Sequence, residues 1–461
     1  MNTNAYIIEK VFVEVNTENM ATATALKDHM SVLLEQRILP ELEKILDEWN
    51  QPDKVVRFPT FHLDVQIPAD HFEDRLAEAV TVQFAQQMKQ VFGSGDGAGV
   101  PLQHGVDVPL QHDVAIISSE ENRESLFFFF LEKGFLPWHG TKADLVAFLQ
   151  LPNWKEHLER PSFLNRLVNL LKSNAVVGDR FIYQLEEKQK LIFLEKINPA
   201  VQQATAIASL LHKLPPEPRA SLFRFLLDVS IGSEPALLQH TSRELENVLR
   251  EKMAVLISTP SGTDKAFFPD MKGTGNRAEM PEIKESEQES FFAPKEEAIF
   301  VQNAGLFLLH PFLKSFFEAI EVLDEKGQIK GSARHVAIQS LHFLATGDCD
   351  FFECDLLFEK FLCGVPLMMP VIRESLLSET IKEECSQLLC EVIRQWPALK
   401  NSSPDGLRQL FIQRNGKLIR EEHRYKLLME RKAQDILLDK LSWNSSLAKI
   451  PWRKELLFVE W

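Results

Sequence analysis

A chain of 461 residues, 45% hydrophobic and 25% charged, exceeds what one hydrophobic core organises, so two or three self-folding domains are expected, with disorder confined to local segments. Lys and Arg number 51 against 66 Asp and Glu, a net charge of -15. Such a balance repels nucleic-acid phosphates and anionic lipid, and no local basic patch offsets it. The longest strongly apolar stretches, Leu126 to Leu131 and Gly305 to Leu309, fall short of the roughly 20 residues a membrane helix needs, so neither nucleic-acid binding nor membrane insertion is expected.

The first residues, Met-Asn-Thr-Asn-Ala-Tyr, carry neither the basic start nor the apolar core of a secretory signal, which makes the cytoplasm the expected compartment and reduced thiols the expected state. Residues 1–92 read as an N-terminal strand-helix-strand unit. In Ile7 to Val15, Val11, Val13 and Val15 share one face, the mark of a half-buried strand. A helix is expected from about Met20 to Trp49, where Leu26, Met30, Leu33, Leu34, Ile38, Leu42, Ile45 and Leu46 recur at three- and four-residue spacing. Pro40 interrupts it with a missing donor and a crowded preceding turn, so a kink or a break near Leu39 is expected. Phe61, Leu63, Val65 and Ile67 alternate with polar residues, predicting a second strand.

Residues 93–123 are Gly- and Pro-containing and repeat Val-Pro-Leu-Gln-His at 100–104 and 108–112, the pattern of a linker. Residues 124–258 form a helical middle, with Leu164, Leu167, Leu170 and Leu171 typical of its spacing. Residues 259–297 are polar and without period, a flexible linker. Residues 298–461 are dense, helical from about Ala304 to Trp396 and then mixed. Lys417 to Arg420 and Tyr425 to Met429 read as paired strands. The tail Leu457 to Trp461 is apolar enough to be docked rather than frayed. The periods together predict an α+β fold, predominantly α-helical, ending in short strands.

No sequence pattern places catalytic groups at a working spacing. There is no phosphate loop, no His-Glu-x-x-His and no nucleophile elbow, so neither enzyme nor cofactor is expected. Cys349, Cys354, Cys363, Cys385 and Cys390 lie close in sequence, but the first and last pairs are each five apart, unlike a zinc knuckle. They read as buried helical thiols. His104 and His112 belong to the duplicated loop and need no metal. Asp348, Asp350 and Glu353 lack the remainder of a calcium loop and read as a solvated acidic turn. His310, before Pro311, reads as a helix terminator.

Several motifs resemble the contractile injection system tape measure protein family. Near the start these are Gln36-Arg37-Ile38-Leu39-Pro40 with Leu42-Glu43, and Pro52-Asp53-Lys54-Val55-Val56-Arg57. After the linker, Leu126 to Leu131, Gly134 and Leu136-Pro137-Trp138 are similar to a Phe-Leu-x-x-Gly-x-Leu-Pro-Trp element. Further on come Asn303-Ala304-Gly305-Leu306, Leu309-His310-Pro311-Phe312-Leu313, Leu344-Ala345-Thr346-Gly347 and Leu362-Cys363-Gly364-Val365-Pro366-Leu367. The last are Trp396-Pro397-Ala398-Leu399-Lys400-Asn401, Asp405-Gly406-Leu407-Arg408, Phe411 to Lys417, Ile450-Pro451-Trp452 and Phe458-Val459-Glu460-Trp461.

The resemblance implies a non-catalytic protein of a bacterial, phage-tail-like particle. Such a protein would set or template inner-tube length, dock against tube and baseplate hub, and be made in the cytoplasm before joining the particle. Two alternatives stay open: a baseplate assembly chaperone, or an adaptor for effector cargo or an associated ATPase. Candidate core or contact anchors are Phe127, Phe128, Leu136, Pro137, Trp138, His310, Pro311, Trp396, Pro397, Trp452 and Trp461, with core burial the first role of the Phe run. As one helix the chain would reach about 690 Å. Its 24 Pro, 19 Gly and 33 Phe instead predict compact domains.

Overall fold

Helical periodicity dominates the sequence, and the computed structural model is α+β and predominantly helical, with two small sheets. It describes residues 6–8, 11–17, 29–50, 53–58, 60–67, 72–92, 115–198, 200–201, 211–232, 247–254, 298–422 and 424–461. The Val-Pro-Leu-Gln-His duplication and the polar segment 259–297 lie outside them. The chain divides into two compact units, residues 1–125 and 126–461.

In the first unit, the helix is irregular at Pro40 but is not broken there. It cannot donate to a carbonyl four residues back and its ring crowds that turn. The backbone widens just before it into a π-helical turn, Leu34–Ile38, and resumes as α-helix over Leu39–Glu48. The ladder differs from expectation. It forms between β1 (Lys54–Arg57) and β2 (Ala115–Ser118), antiparallel, with Val55 opposite Ile117. Phe61 to Ile67 is extended but outside any ladder among the described residues. Its alternate side chains instead pack on helices: Phe61 lies 4.9 Å from Phe84, and Val65 and Ile67 join the small core of Leu33, Ile38 and Leu76. Helix Phe72–Phe92 takes the place of a strand partner. Ile7, Ile8, Val11, Val13 and Val15 are likewise outside any ladder among the described residues, and Phe12 is 80% exposed. The expected burial of one face of that segment is not found.

The second unit holds two hydrophobic cores. The helix Ser119–Lys133 explains its run of phenylalanines, because from Leu126 onward it lies between both. Phe127, Phe128 and Phe130 enter one core while Phe129 packs on the other. The first core is a helical array built from the described residues between 126 and 254, its turns set by local chemistry. Thr141 caps Lys142–Leu149, Asn174 caps Ala175–Gln184, and Pro161 and Pro216 each open a helix where no donor is needed. At its centre Trp154 packs edge-on against Phe127 and Phe163 and donates its indole N–H to the Gln189 carbonyl.

The second core combines helices with a five-stranded sheet: β3 (Ala298–Val301), β4 (Gly416–Arg420), β5 (Arg424–Met429), β6 (Leu447–Lys449) and β7 (Leu456–Glu460). Its spatial order is β3-β4-β5-β7-β6, antiparallel except for β5 and β7. The hairpin of β4 and β5 falls where the alternation placed it. The apolar tail is β7, inserted between β5 and β6. Trp461 is half-buried beyond it, donating its indole N–H to the Ser445 carbonyl at 2.6 Å, so the tail is docked as expected. His310 ends the short 3-10 helix Ala304–Leu309, its Nδ1 3.1 Å from the Phe307 carbonyl.

Candidate functional site

The motif residues are scattered along the sequence, yet in the second unit they converge on a network of buried charges. Arg180, on helix Ala175–Gln184, is fully buried and donates from Nε to Glu353 Oε2 at 3.0 Å. Lys360 donates to the other oxygen of Glu353 at 2.6 Å. The remaining donors are also met: Arg180 Nη1 reaches the Leu131 carbonyl at 2.6 Å, and Lys360 reaches the Leu367 carbonyl at 2.9 Å. Gln184 accepts from the Glu353 backbone N–H at 2.7 Å and donates to the Val371 carbonyl at 2.7 Å. Burial pulls the Lys360 ammonium below its usual range, the neighbouring Glu353 opposing that shift and Arg180 adding to it.

This network accounts for the glycine of the Phe-Leu-x-x-Gly-x-Leu-Pro-Trp element. Gly134 has φ +79, and a Cβ there would sit 2.3 Å from Glu353 Oε1. Only glycine both adopts that backbone and leaves room for the carboxylate. Gly305 is tighter still, because a Cβ would fall 1.7 Å from the Phe411 carbonyl oxygen. Its neighbour Asn303 takes a left-handed backbone (φ 52) and donates to Glu359 Oε1 at 2.8 Å, with His342 Nδ1 3.4 Å from the same oxygen. The Ile450-Pro451-Trp452 motif closes over the C-terminal end of the helix Leu357–Leu362. Trp452 donates to the Leu362 carbonyl at 2.6 Å and stacks on Phe317, and Arg453 reaches the Phe361 carbonyl at 3.0 Å.

The anchors divide by exposure. Phe127, Phe128 and Trp396 are fully buried, the last donating to the Leu437 carbonyl. Leu136, Pro137, His310, Trp452 and Trp461 are half-buried. Pro311 and Pro397 are exposed, and Trp138 is 42% exposed. Phe312 and Trp396 both touch Trp443 edge-on, which brings the motifs at Leu309–Leu313 and at Trp396–Asn401 to one place. Trp138 is not among those contacts.

Two expectations are corrected. Glu353 is not part of a solvated acidic turn. Asp348 and Asp350 are exposed, the latter paired with Arg373 at 2.9 Å, whereas Glu353 is fully buried. The thiols are also not uniformly buried: Cys363 and Cys385 are, Cys349 and Cys354 are half-buried, and Cys390 is exposed. Burial pushes the Cys363 and Cys354 thiols up and Cys385 to about 12, so these three are poor nucleophiles at neutral pH. Sequence reading missed Arg180, Lys360 and Glu359. The signal was adjacent charges inside the apolar run Leu357-Phe358-Glu359-Lys360-Phe361-Leu362, which a helix buried on all sides must neutralise internally.

The caged ions face only protein groups. A shallow polar groove lies beside Lys314, Glu318, Asp324 and Lys330. No group of three or more His, Cys, Asp or Glu is placed to hold a metal among the described residues, and none of their helices is long and apolar enough to cross a membrane. The converging motifs pack on one another within the second unit. No curated protein and no solved structure matches the chain. A family model described as contractile injection system tape measure protein matches residues 5–461, and with its motifs packed on one another the chain belongs to that family.

Proposed function

We propose that this protein docks at the tube and baseplate of a contractile injection particle and acts by contact to set or template inner-tube length. The observation that carries this reading is the family match along nearly the whole chain. The exposed anchors Trp138, Pro311 and Pro397 supply contact positions on the second unit. A structural rather than catalytic role accords with Arg180, Glu353 and Lys360 bonding to one another and to backbone carbonyls.

A second reading, an assembly chaperone at the baseplate, is favoured by compactness. The longest helical element among the described residues, Phe72–Phe92, has 21 residues, about 32 Å at 1.5 Å per residue. A length-setting role therefore rests on arrangement or copy number rather than on one extended rod. Tube length by electron microscopy separates the readings. Particles are assembled without the protein, and with about 30 helical residues added between Ile231 and Leu249. Randomised length on deletion, with tubes lengthened by up to about 45 Å on insertion, supports measurement. Arrested assembly on deletion with unchanged length on insertion supports the chaperone. Stable copurification with effector cargo, and not with tube or baseplate protein, would instead identify an adaptor.

A further inference from the structure

The five-stranded sheet has two unlike faces. Ile299, Leu418, Leu427, Leu457 and Val459 point into the core and are buried. On the opposite face the register builds rows of mixed chemistry. Phe300 lies opposite Lys417, Lys417 opposite Leu428, and Leu428 opposite Glu460. The next row runs Ala298, Ile419, Lys426, Phe458 and Leu447, and the last holds Arg424, Leu456 and Lys449. Phe300 is 56% exposed and Leu456 38%. Large apolar side chains rimmed by charge are the texture of a contact surface, because a sheet face gains stability when another element covers it.

The charges on this face oppose those of the molecule. Lys417, Arg424, Lys426 and Lys449 stand against the single carboxylate Glu460, four cations less one anion, on a chain of net charge -15. Lys417 Nζ lies 5.4 Å from the Phe300 ring and Arg424 Cζ 4.8 Å from the Phe458 ring. The cations are thus laid over the apolar groups. Lys426 pairs with Glu460 at 2.7 Å and Arg424 with Glu421, while Lys417 and Lys449 have no carboxylate partner among the described residues. Five strands span about 19 Å between the outer strand axes, enough for one helix about 10 Å across with its flanking side chains.

We propose that this face docks a separate protein of the particle that presents an amphipathic helix, apolar along one stripe and flanked by carboxylates. The assignment rests on the particle-component reading above. Apolar contact with Phe300, Phe458 and Leu456 supplies the attraction. The cations select an acidic partner and exclude the basic surfaces that the rest of this molecule attracts. A nucleic acid fits less well, because two of the four cations are already paired and the overall charge repels phosphate.

The test uses the full-length protein and, as probes, the purified tube protein and each purified baseplate protein of the same particle, immobilised one at a time. Three variants are compared with the parent: Phe300→Ser, the pair Lys417→Glu with Lys449→Glu, and Lys172→Glu as a charge reversal outside the sheet. All replace surface side chains, and unchanged circular dichroism confirms their fold. The expected result is that one particle protein binds the parent and the Lys172→Glu control alike. Both face variants should bind it at least about tenfold more weakly, with the parent's affinity falling as salt rises.

Equal binding by parent and face variants overturns the face assignment while leaving the particle association intact. A parent that binds none of the particle proteins overturns the association, and the face with it. A single-stranded oligonucleotide is run as a further probe. If it binds the parent, is lost in the face variants, and the particle proteins are unaffected by the same substitutions, the face belongs to nucleic acid and the proposal fails.

Discussion

Replacing Glu353 by alanine removes a carboxylate shared by two buried cations, and its cost can be worked from the network. Arg180, Glu353 and Lys360 are all fully buried. Breaking a buried ion pair by deleting one partner typically costs about 3–5 kcal/mol, most of it the penalty of the charge left behind. Lys360 can shed part of that penalty by losing its proton, since burial already pulls its ammonium down. Arg180 cannot, because a guanidinium stays protonated in proteins. The Arg180 bonds to the Leu131 and Met368 carbonyls remain, so the loss should fall at about 4 kcal/mol rather than above the range. Urea unfolding followed by tryptophan fluorescence suits the measurement, because Trp154 and Trp396 are fully buried in this unit. Glu353→Gln, which keeps shape and one acceptor, should cost about 3 kcal/mol. A loss below about 1 kcal/mol for Glu353→Ala would mean that water reaches the cations, and the account of Gly134 would fall with it.

The glycines provide a graded test. Gly134→Ala, at φ +79 and 2.3 Å from Glu353 Oε1, should cost roughly 2–4 kcal/mol. Gly327→Ala, at φ +74 but with open space around it, should cost only about 1–2 kcal/mol. Equal melting shifts for the two would refute the role of crowding. Gly305→Ala meets backbone and should leave little soluble native protein, as read by gel filtration. Half-buried His335 has its pKa lowered to about 4 by burial, with Lys360 and Arg334 adding to the effect. The unfolded chain, titrating near 6.5, then binds a proton that the fold refuses. Stability from this site is complete above pH 6.5 and is lost as pH falls toward 4. The loss between pH 7 and 5 is at most about 2 kcal/mol, and His335→Gln should flatten unfolding curves over that window. Deleting Leu456 to Trp461 removes β7, to which β6 owes its whole ladder. It should abolish cooperative unfolding of the second unit, whereas a short tag before Met1 should leave its melting temperature unchanged.

Local patterns in the sequence determined most of the helices, the hairpin around Gly416 and Tyr425, the docked tail and the disruption at Pro40, because each depends on neighbours a few residues apart. The distributed motifs likewise determined the family. Alternation at Phe61 to Ile67 was legible as one-sided burial, but period two does not say whether a strand ladder or a helix supplies the cover. The tertiary structure decided for the helix Phe72–Phe92. The same holds for charge. Asp348, Asp350 and Glu353 look alike as a sequence, and only folding brings Arg180, 173 positions away, onto Glu353. Burial of an ion is set by partners that sequence distance hides, since a lone charge is excluded from a core and a fully bonded one is tolerated there. Four consecutive phenylalanines could not all face one side of a helix, and it was the presence of a second core that gave Phe129 its place.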